Sequence, residues 1–363
     1  MLDIYLDYNA TTPLRPEARE AMLDVLGPPA NPSSVHVYGQ RARLSMEDAR
    51  GKVAMLAGAR PEEVIFTSGG TEANAMALRR AWPAVLVGAT EHAAVLESVP
   101  DAVRIPVDGN GVTDMEALAG LLAESPEGTL VSVMAANNET GVCQPLSRIV
   151  ALAREHGALV HSDAVQALGK IPLDFSALGL DMMSVSAHKI GGPTGIGALI
   201  QREGLAANPL ARGGGQEKNR RPGTENMAGA VGFGAAAAAA ARDISGFGAR
   251  GVALRERLEG RITAKAPDAV IFGRMVERLP NTTALAMPGR RAETQVMALD
   301  LAGIAVSAGA ACSSGKVRSS HVLEAMGAGD LASHTIRISW GWASTEDDID
   351  RLAECWLDLY KQA

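Results

Sequence analysis

The chain has 363 residues, a length that suits two domains or one large domain with a smaller partner. Hydrophobic residues make up 47% of the sequence, which is enough for a substantial core. The 34 Lys and Arg residues against 41 Asp and Glu give a net charge of −7, and no long basic run appears, so nucleic acid is not an expected partner.

The sequence also lacks the patterns of membrane, secreted and metal-binding proteins. Its most apolar stretch, 229–241, is too short to span a bilayer, and the acidic N-terminal segment does not have the pattern of a signal peptide. The three cysteines lie far apart and form neither a disulfide framework nor a zinc pattern. We therefore expect a soluble, cytoplasmic protein without a metal site.

The first two thirds of the chain predict an α/β fold. An extended segment at 1–6 precedes two helices, predicted over 16–26 and 40–57. Strands and helices then alternate, and the helix that follows the first of these strands is predicted to reach residue 82. The strands are predicted at 64–67, 84–87, 104–107, 130–134, 158–161, 181–186 and 197–200. Such alternation is typical of a mostly parallel sheet with crossover helices.

The remaining third predicts a smaller α+β region. Residues 211–226 are expected to form a loop. The run 227–242, despite its seven consecutive alanines, favours a helix. A boundary is predicted at 246–248, followed by helices at 249–264, 320–326 and 346–361 and a strand at 335–339. We predict a large domain over 14–247 and a small domain that combines 1–13 with 248–363.

Lys189 stands between the end of a predicted strand and a glycine-rich turn. Its amine is expected to point into a cleft at the strand ends, where loss of water lowers a lysine pKa and frees the lone pair for Schiff-base chemistry. An ordinary surface lysine is the alternative. Further polar residues at predicted strand ends make the chemical interpretation stronger, because ligands of open α/β sheets bind at these ends.

Asp163 and the turn at 68–72, together with Lys189, form a pattern that is typical of one cofactor. The turn SGGTE offers N–H groups and a hydroxyl at a helix start, which suits a phosphate, although it could be a simple helix cap. Asp163 could keep a pyridine nitrogen protonated or could be an N-cap. His92 could lie over a ring or be a hydrogen-bonded loop residue. Phosphate turn, carboxylate and Schiff-base lysine together predict pyridoxal phosphate.

Nearly the whole chain resembles a known family, the class V aminotransferase-like enzymes, and among them the cysteine desulfurases of the NifS/IscS type. The motifs that carry the resemblance are YLDYNATTP, NPSSVHVYGQ, FTSGGTEANA, EHAAV, NNETG, HSDAVQALGKIPLD, SAHKIGGPTGIGAL, GGGQEKNRRPGTEN, ACSSG and IRIS. The resemblance implies fold-type I, the pyridoxal-phosphate-dependent transferase fold, in a homodimer.

The resemblance also implies a role for each site residue. Lys189 would bond the cofactor, Asp163 would pair with the pyridine nitrogen, Gln166 would bond the phenolic oxygen and His92 would stack on the ring. The phosphate would be held by Gly70, Thr71, Ser186 and His188, with Thr224 from the second subunit. Asn138 and Arg337 would hold the substrate carboxylate, for which the planar fork of an arginine is suited.

Cys312 is the nucleophile that the resemblance implies. It lies in a run of small residues, 307–315, which favours a mobile segment, whereas Cys143 and Cys355 are expected to be small buried hydrophobes. The ACSSG segment is similar to the branch with the longer, mobile cysteine loop. Thr194, Trp342 and Tyr8 depart from the usual pattern of the family, and these departures leave substrate preference open.

The implied reaction converts L-cysteine to L-alanine and leaves the sulfur as a persulfide on Cys312. An acceptor protein for iron–sulfur cluster or thio-cofactor synthesis would then take the sulfur. Two alternatives remain open at this point. One is a selenocysteine lyase of the same fold, and the other is a catalytically silent scaffold that binds sulfur-transfer partners.

Overall fold

The computed structural model describes residues 4–29, 31–206, 208–309 and 319–362. The strands in chain order are β1 Ile4–Tyr5, β2 Val64–Thr67, β3 Val85–Gly88, β4 Val103–Ile105, β5 Leu130–Ser132, β6 Leu159–Asp163, β7 Met182–Ser186, β8 Gly197–Gln201, β9 Val270–Phe272, β10 Thr282–Ala286, β11 Ile304–Ala305 and β12 Thr335–Ser339. Most of them lie within a few residues of their predicted positions.

Helices flank these strands. They are α1 Pro16–Leu26, α2 Val37–Ala57, α3 Gly70–Leu78, α4 Ala93–Leu96, α5 Met115–Ala123, α6 Leu146–Glu155, α7 Phe175–Leu178, α8 Gln216–Asn219, α9 Met227–Lys265, α10 Ala292–Leu301, α11 His321–Ala325 and α12 Glu346–Tyr360. Helix α3 ends at Leu78, before the predicted residue 82, and the indole N–H of Trp82 donates to the carbonyl oxygen of Ala77 in its last turn. Among the described helices, none has the length and apolar character required to cross a bilayer.

The main sheet has seven strands in the order β2-β8-β7-β6-β5-β3-β4. Strand β8 pairs antiparallel with both of its neighbours, and the other pairings are parallel. All strands except β8 therefore end at the same edge. Because β2, β3, β5, β6 and β7 each end there, the loops that follow them meet in one place. This arrangement confirms the predicted α/β class with a mostly parallel sheet.

A second, three-stranded antiparallel sheet has the order β12-β10-β9 and places Ala284 opposite Arg337. The N-terminal strand β1 pairs in parallel with β11, with Ile4 opposite Ile304, and Asp7 bridges to Ser339. The N-terminal segment therefore lies with the C-terminal third, which is the association that the predicted small domain requires. The limits of the two domains remain a prediction.

The predicted break at 246–248 is wrong as a helix boundary, because α9 is one helix of 39 residues. Phe247 is buried within it, and a Cβ at Gly251 would lie 3.0 Å from Pro280, so glycine there permits a close approach of the chain. Phe233 belongs to the core beneath the large sheet, whereas Leu258 belongs to the core of the second sheet. Packing against both cores outweighs the modest helix-forming cost of the glycines, about 1 kcal/mol each.

Candidate active site

A cavity of about 360 Å³ opens at the edge of the main sheet where the parallel strands end. Ten of the residues predicted for the site line it: Gly70, Thr71, His92, Asn138, Asp163, Gln166, Ser186, His188, Lys189 and Arg337. Thr224 is exposed and is not part of this lining. Cys312 lies outside the described residues.

Lys189 ends a short 3-10 turn, Ala187–Lys189, that follows β7. Its Nζ donates to the carbonyl oxygens of Asn9, at 2.5 Å, and Ala10, at 2.7 Å. Burial lowers the pKa of this amine to about 8, and the positive charge of Arg337 acts in the same direction. A larger fraction of Lys189 is therefore neutral near pH 7 than for an exposed lysine, as a nucleophilic amine requires.

Asp163 is the last residue of β6, and its carboxylate is buried and held by two donors. The side-chain N–H of Asn74 donates to Oδ2 at 2.7 Å, and the backbone N–H of Val165 donates to Oδ1 at 3.0 Å. Asn74 comes from α3, and its own Oδ1 is buried without a partner among the described residues. Both carboxylate oxygens are thus fixed in direction at the floor of the cavity.

Gln166 belongs to a buried polar network beneath the cavity. Its Nε2 donates to the carbonyl oxygen of Asn9 at 2.9 Å, and its Oε1 accepts from Lys170 Nζ at 2.6 Å. Lys170 Nζ also donates to Asn9 Oδ1 at 2.8 Å. Burial lowers the pKa of Lys170 well below its ordinary value, and the nearby charges of Lys189 and Arg337 lower it further.

The start of α3 forms the opposite end of the cavity and suits a phosphate. Gly69 provides no side-chain cap, and a Cβ at Gly70 would lie 2.7 Å from Cγ2 of Val165, so the close approach there requires glycine. Thr71 and Ser186, whose side chains carry hydroxyls, line the same cavity. Backbone N–H groups at a helix start together with hydroxyls are a typical anion-binding set.

His188 lies beside this end and is neutral near pH 7. Burial and the charges of Lys189 and Lys170 lower its pKa to about 4. Its Nδ1 lies 3.1 Å from the hydroxyl of Thr11, which fixes the ring. A neutral imidazole held in this way has one ring nitrogen left for a ligand.

His92 is hydrogen-bonded, as the alternative interpretation of this residue expected, here as the N-cap of α4, and it also lines the cavity. Its Nδ1 accepts from the backbone N–H of Ala94 at 3.0 Å, so the neutral ring carries its proton on Nε2. The preceding residue, Glu91, is fully buried, and its Oε1 accepts from the backbone N–H of Met134. Burial raises the pKa of Glu91 well above its ordinary value. This anchored carboxyl fixes the turn that presents His92.

Arg337 enters the cavity from the second sheet. Its Nη2 donates to Asp7 Oδ1 at 2.7 Å, and its Nη1 donates to the carbonyl oxygen of Asn138 at 3.1 Å. Arg337 is only 5% exposed, and its Nε has no partner among the described residues. A buried, partly satisfied guanidinium beside the cavity is suited to bind a carboxylate.

The loop that carries Thr224 is attached to the phosphate end of the same chain. Arg221 Nε donates to Glu72 Oε1 at 2.9 Å in the first turn of α3. Upstream, Glu217 forms a buried, two-bonded ion pair with Arg50, at 2.7 and 2.8 Å. Glu217 has a φ of 47°, and Lys218 and Asn219 are also left-handed. The buried pair therefore holds a strained turn just before the part of the loop that carries the exposed Thr224.

Cys143 and Cys355 behave as predicted for small hydrophobes. Each is half-buried and packs against one of the two cores. Burial raises the pKa of the Cys143 thiol to about 12, so it is scarcely ionised near neutral pH. The three departures from the family pattern, Tyr8, Thr194 and Trp342, are not part of the cavity lining.

Sequence reasoning missed four polar residues: Asp7, Asn9, Asn74 and Lys170. For Asn74 a signal was present, because it follows Gly70 by four residues on a predicted helix and shares its face. Asp7 and Asn9 stand in a loop whose position could not be deduced from its own residues. Lys170 gave no periodic signal at all.

The described residues fit pyridoxal phosphate. A lysine amine of lowered pKa, a carboxylate oriented by two donors and an anion-binding helix start surround one cavity. These are the three groups that the cofactor's aldehyde, ring nitrogen and phosphate need.

Comparison with known proteins agrees with this fit. The family model described as aminotransferase class-V matches residues 4–352. A cysteine desulfurase of Cereibacter sphaeroides is 45% identical over 368 residues, covering 97% of this chain and 94% of the relative. The cysteine desulfurase NifS of Azotobacter vinelandii is 40% identical over 369 residues, covering 97% and 91%.

Solved structures show the same relationship. An X-ray structure of a NifS-like protein from Rickettsia africae superposes with a TM-score of 0.93 at 36% identity, covering 99% of each chain. A structure of SspA in complex with cysteine has a TM-score of 0.79 at 28% identity, covering 93% of this chain and 98% of that one. Both the resemblance found in the sequence and the predicted fold are confirmed. The chain belongs to the class-V aminotransferase family and, within it, to the cysteine desulfurases of the NifS/IscS type, which depend on pyridoxal phosphate.

Proposed function

We propose that this protein converts L-cysteine to L-alanine and retains the sulfur as a persulfide on Cys312. The observation that carries the proposal is the meeting of Lys189, Asp163 and Arg337 around one cavity in a chain whose relatives are named cysteine desulfurases. The cysteine found in the SspA structure belongs to that protein, and it supports cysteine as the substrate here.

Lys189 and Asp163 have different tasks, since Lys189 moves the α-proton of the substrate and Asp163 serves the ring nitrogen of the cofactor. When bound, pyridoxal phosphate supplies an electron sink for the pair left behind by the departing α-proton of the substrate. The Lys189 amine, with its pKa lowered to about 8, takes that proton and later returns one. Asp163, fixed by Asn74 and Val165, is the residue that would pair with the ring nitrogen and keep it protonated.

Arg337 and Asn138 orient the substrate. The guanidinium binds the substrate carboxylate in the place where it now meets Asp7, and Asn138, whose backbone carbonyl oxygen accepts from the same guanidinium, also lines the cavity. Two anchored ends, amine and carboxylate, leave the side-chain sulfur of cysteine as the free end. Such a fixed geometry lowers the entropy that the sulfur step must lose.

The sulfur step needs a thiolate, which we assign to Cys312. Its sulfur forms an S–S bond with the substrate sulfur, while the bond between that sulfur and the β-carbon breaks. The β-carbon keeps the electron pair of the broken bond and takes a proton, so that alanine leaves and a persulfide stays on the protein. Cys143 is not a substitute, because burial raises its pKa to about 12.

We also propose a homodimer in which Thr224 serves the phosphate of the other subunit. Support comes from its exposure, its absence from the cavity lining of its own chain, and the ion pair of Arg50 and Glu217 that shapes the loop. The test mixes a Thr224→Ala variant with a Lys189→Ala variant. Recovery of part of the activity in the mixture is expected, because some heterodimers contain one intact site. A monomer in sedimentation with full cofactor affinity would contradict the dimer.

The persulfide would pass to an acceptor protein in the cytoplasm, for iron–sulfur cluster or thio-cofactor synthesis. The alternative of a selenocysteine lyase is less well supported, because the relatives reported above are named for cysteine. Turnover of cysteine and selenocysteine by the same preparation separates the two.

The central experiment is a visible spectrum of the purified protein before and after addition of cysteine, with alanine measured as the product. We expect a yellow protein whose spectrum changes with cysteine, and a Lys189→Ala variant that lacks the absorbance of covalently held cofactor. A colourless protein would favour the silent scaffold. An unchanged spectrum in the Lys189→Ala variant would remove Lys189 from its role.

A further inference from the structure

Lys170 is a buried lysine that forms no ion pair among the described residues. Its side chain is 4% exposed, and its Nζ donates to two amide oxygens, Asn9 Oδ1 at 2.8 Å and Gln166 Oε1 at 2.6 Å. Burying an amine of this kind is costly unless it is well hydrogen-bonded. Its position next to the cavity therefore calls for a role, and the proposed chemistry gives it none.

The two hydrogen bonds of Lys170 fix the orientation of both amides. Lys170 Nζ is the donor in both bonds, so the side of each amide that faces it is the oxygen, that of Gln166 and that of Asn9. The nitrogens must then face the other way. One N–H of Gln166 reaches the carbonyl oxygen of Asn9 at 2.9 Å, and the second is left for the cavity that Gln166 lines.

The side-chain amide of Asn9, whose orientation Lys170 also fixes, connects Lys170 to Asn138, one of the residues assigned to the substrate carboxylate. With Oδ1 on Lys170, its Nδ2 donates to the hydroxyl of Thr282 at 2.9 Å and to the carbonyl oxygen of Asn138 at 3.2 Å. The carbonyl oxygen of Asn9 also accepts from Lys189 at 2.5 Å. Lys170 thus begins two chains of hydrogen bonds. One runs directly to Gln166, and the other runs through Asn9 to Asn138.

We propose that Lys170 is a positioning residue that forces Gln166 to present an N–H, and not its carbonyl oxygen, to the phenolic oxygen of pyridoxal phosphate. The inference rests on the proposed function and on the role that the family resemblance implies for Gln166, a hydrogen bond to that oxygen. Without Lys170 the amide of Gln166 has no donor on its oxygen, and only its hydrogen bond to the carbonyl oxygen of Asn9 still opposes rotation. A rotated amide would turn its carbonyl toward a negatively charged oxygen.

The expected consequence is electrostatic and can be measured without turnover. An N–H donor on the phenolic oxygen withdraws negative charge from the neighbourhood of the cofactor-bound Lys189 nitrogen, and loss of that donor makes this nitrogen hold its proton more tightly. The pH at which the visible spectrum of the resting holoenzyme changes should therefore rise in Lys170→Met, by on the order of one pH unit. Methionine keeps the length of the side chain and suits a buried site.

The controls separate positioning from a general loss of structure. Lys52→Met makes the same chemical change on the exposed face of α2 and should leave the midpoint where it is. Gln166→Leu should raise the midpoint by itself, and adding Lys170→Met to Gln166→Leu should raise it no further, because the lysine acts through the glutamine. Equal midpoints in wild type and Lys170→Met, or fully additive shifts in the double variant, would overturn the proposal.

A crystal structure of the wild-type holoenzyme provides a second measurement that does not depend on the variants folding. Lys170 Nζ should remain within hydrogen-bond distance of both amide oxygens with the cofactor bound, and a lysine turned away from Gln166 would refute the positioning role. Failure of the proposed function looks different, since the wild-type protein would then show no visible absorbance that depends on Lys189.

Discussion

Asp7 and Arg337 form an ion pair at the wall of the cavity, with Oδ1 2.7 Å from Nη2. The pair joins a residue of the N-terminal loop to a residue of β12, 330 positions later in the chain. It occupies the guanidinium that we assign to the substrate carboxylate. Asp7 therefore keeps this buried charge satisfied while substrate is absent, and the incoming carboxylate takes over part of that task.

The first prediction concerns Arg337. Its removal leaves the substrate carboxylate without its partner, at a cost of roughly 2–5 kcal/mol. Arg337→Ala should raise the KM for cysteine by at least about tenfold and leave the bound cofactor in place. Steady-state kinetics and the visible spectrum measure both. Arg202→Ala, which breaks a surface pair with Asp181, is the matched control and should leave KM unchanged. A normal KM in Arg337→Ala would exclude Arg337 from substrate binding.

The second prediction is a pH dependence. The pKa of Lys189 is lowered to about 8, so the neutral amine that captures the cofactor becomes dominant as the pH rises through this value. The rate at which the apoprotein takes up pyridoxal phosphate should therefore reach half of its maximum near pH 8 and level off above it. His188, with a pKa of about 4, stays neutral throughout this range. Stopped-flow absorbance measures the rate, and a rate still climbing at about pH 10 would contradict the lowered pKa.

The third prediction tests Asn74, which sequence reasoning missed. Its N–H is one of the two donors on Asp163, and a hydrogen bond to a charged group contributes about 1.5–3 kcal/mol. Asn74→Ala should lower kcat about tenfold or more and retain the cofactor. Asn208→Ala, which removes a surface hydrogen bond to Arg79, serves as the control. A wild-type kcat in Asn74→Ala would contradict the prediction and would mean that the backbone N–H of Val165 alone orients the Asp163 carboxylate.

The fourth prediction separates the thiol from the cofactor. Cys312→Ser keeps the size of the side chain but loses the nucleophile, since a hydroxyl is scarcely ionised near neutral pH. The variant should bind pyridoxal phosphate and change its spectrum with cysteine, yet form no alanine and no persulfide. Cys143→Ser and Cys355→Ser should turn over normally. Alanine formation by Cys312→Ser at the wild-type rate would remove the proposed sulfur step and favour the selenocysteine alternative.

The sequence allowed the edge of the main sheet to be predicted because short-range patterns determine it. Asp163 ends one buried strand and Lys189 ends the short turn after the next, and parallel strands bring their ends together whatever the rest of the chain does. The association of Asn9 with Lys170 could not be predicted in this way. Their hydrogen bond joins positions 161 apart, and no periodicity reports a contact of that separation.

The helix break illustrates the same limit. Gly246 and Gly248 lower the helix propensity locally, and on that basis we predicted a boundary. The structure instead continues α9 through them, because its two ends pack against different cores, and that gain depends on contacts made far away in sequence.

The unbroken α9 also has a consequence for how the chain tolerates insertions. The helix is roughly 60 Å long at 1.5 Å per residue. One end packs against the core of the main sheet, whose strand β7 leads to Lys189, and the other end packs against the core of the second sheet, which contains Arg337. One additional residue near Gly246 would turn one end of the helix against the other by about 100°. The same insertion in a surface loop would rotate no helix relative to its neighbours. An insertion in the middle of this helix would therefore change the position of Arg337 relative to Lys189, although the inserted residue lies outside the cavity lining.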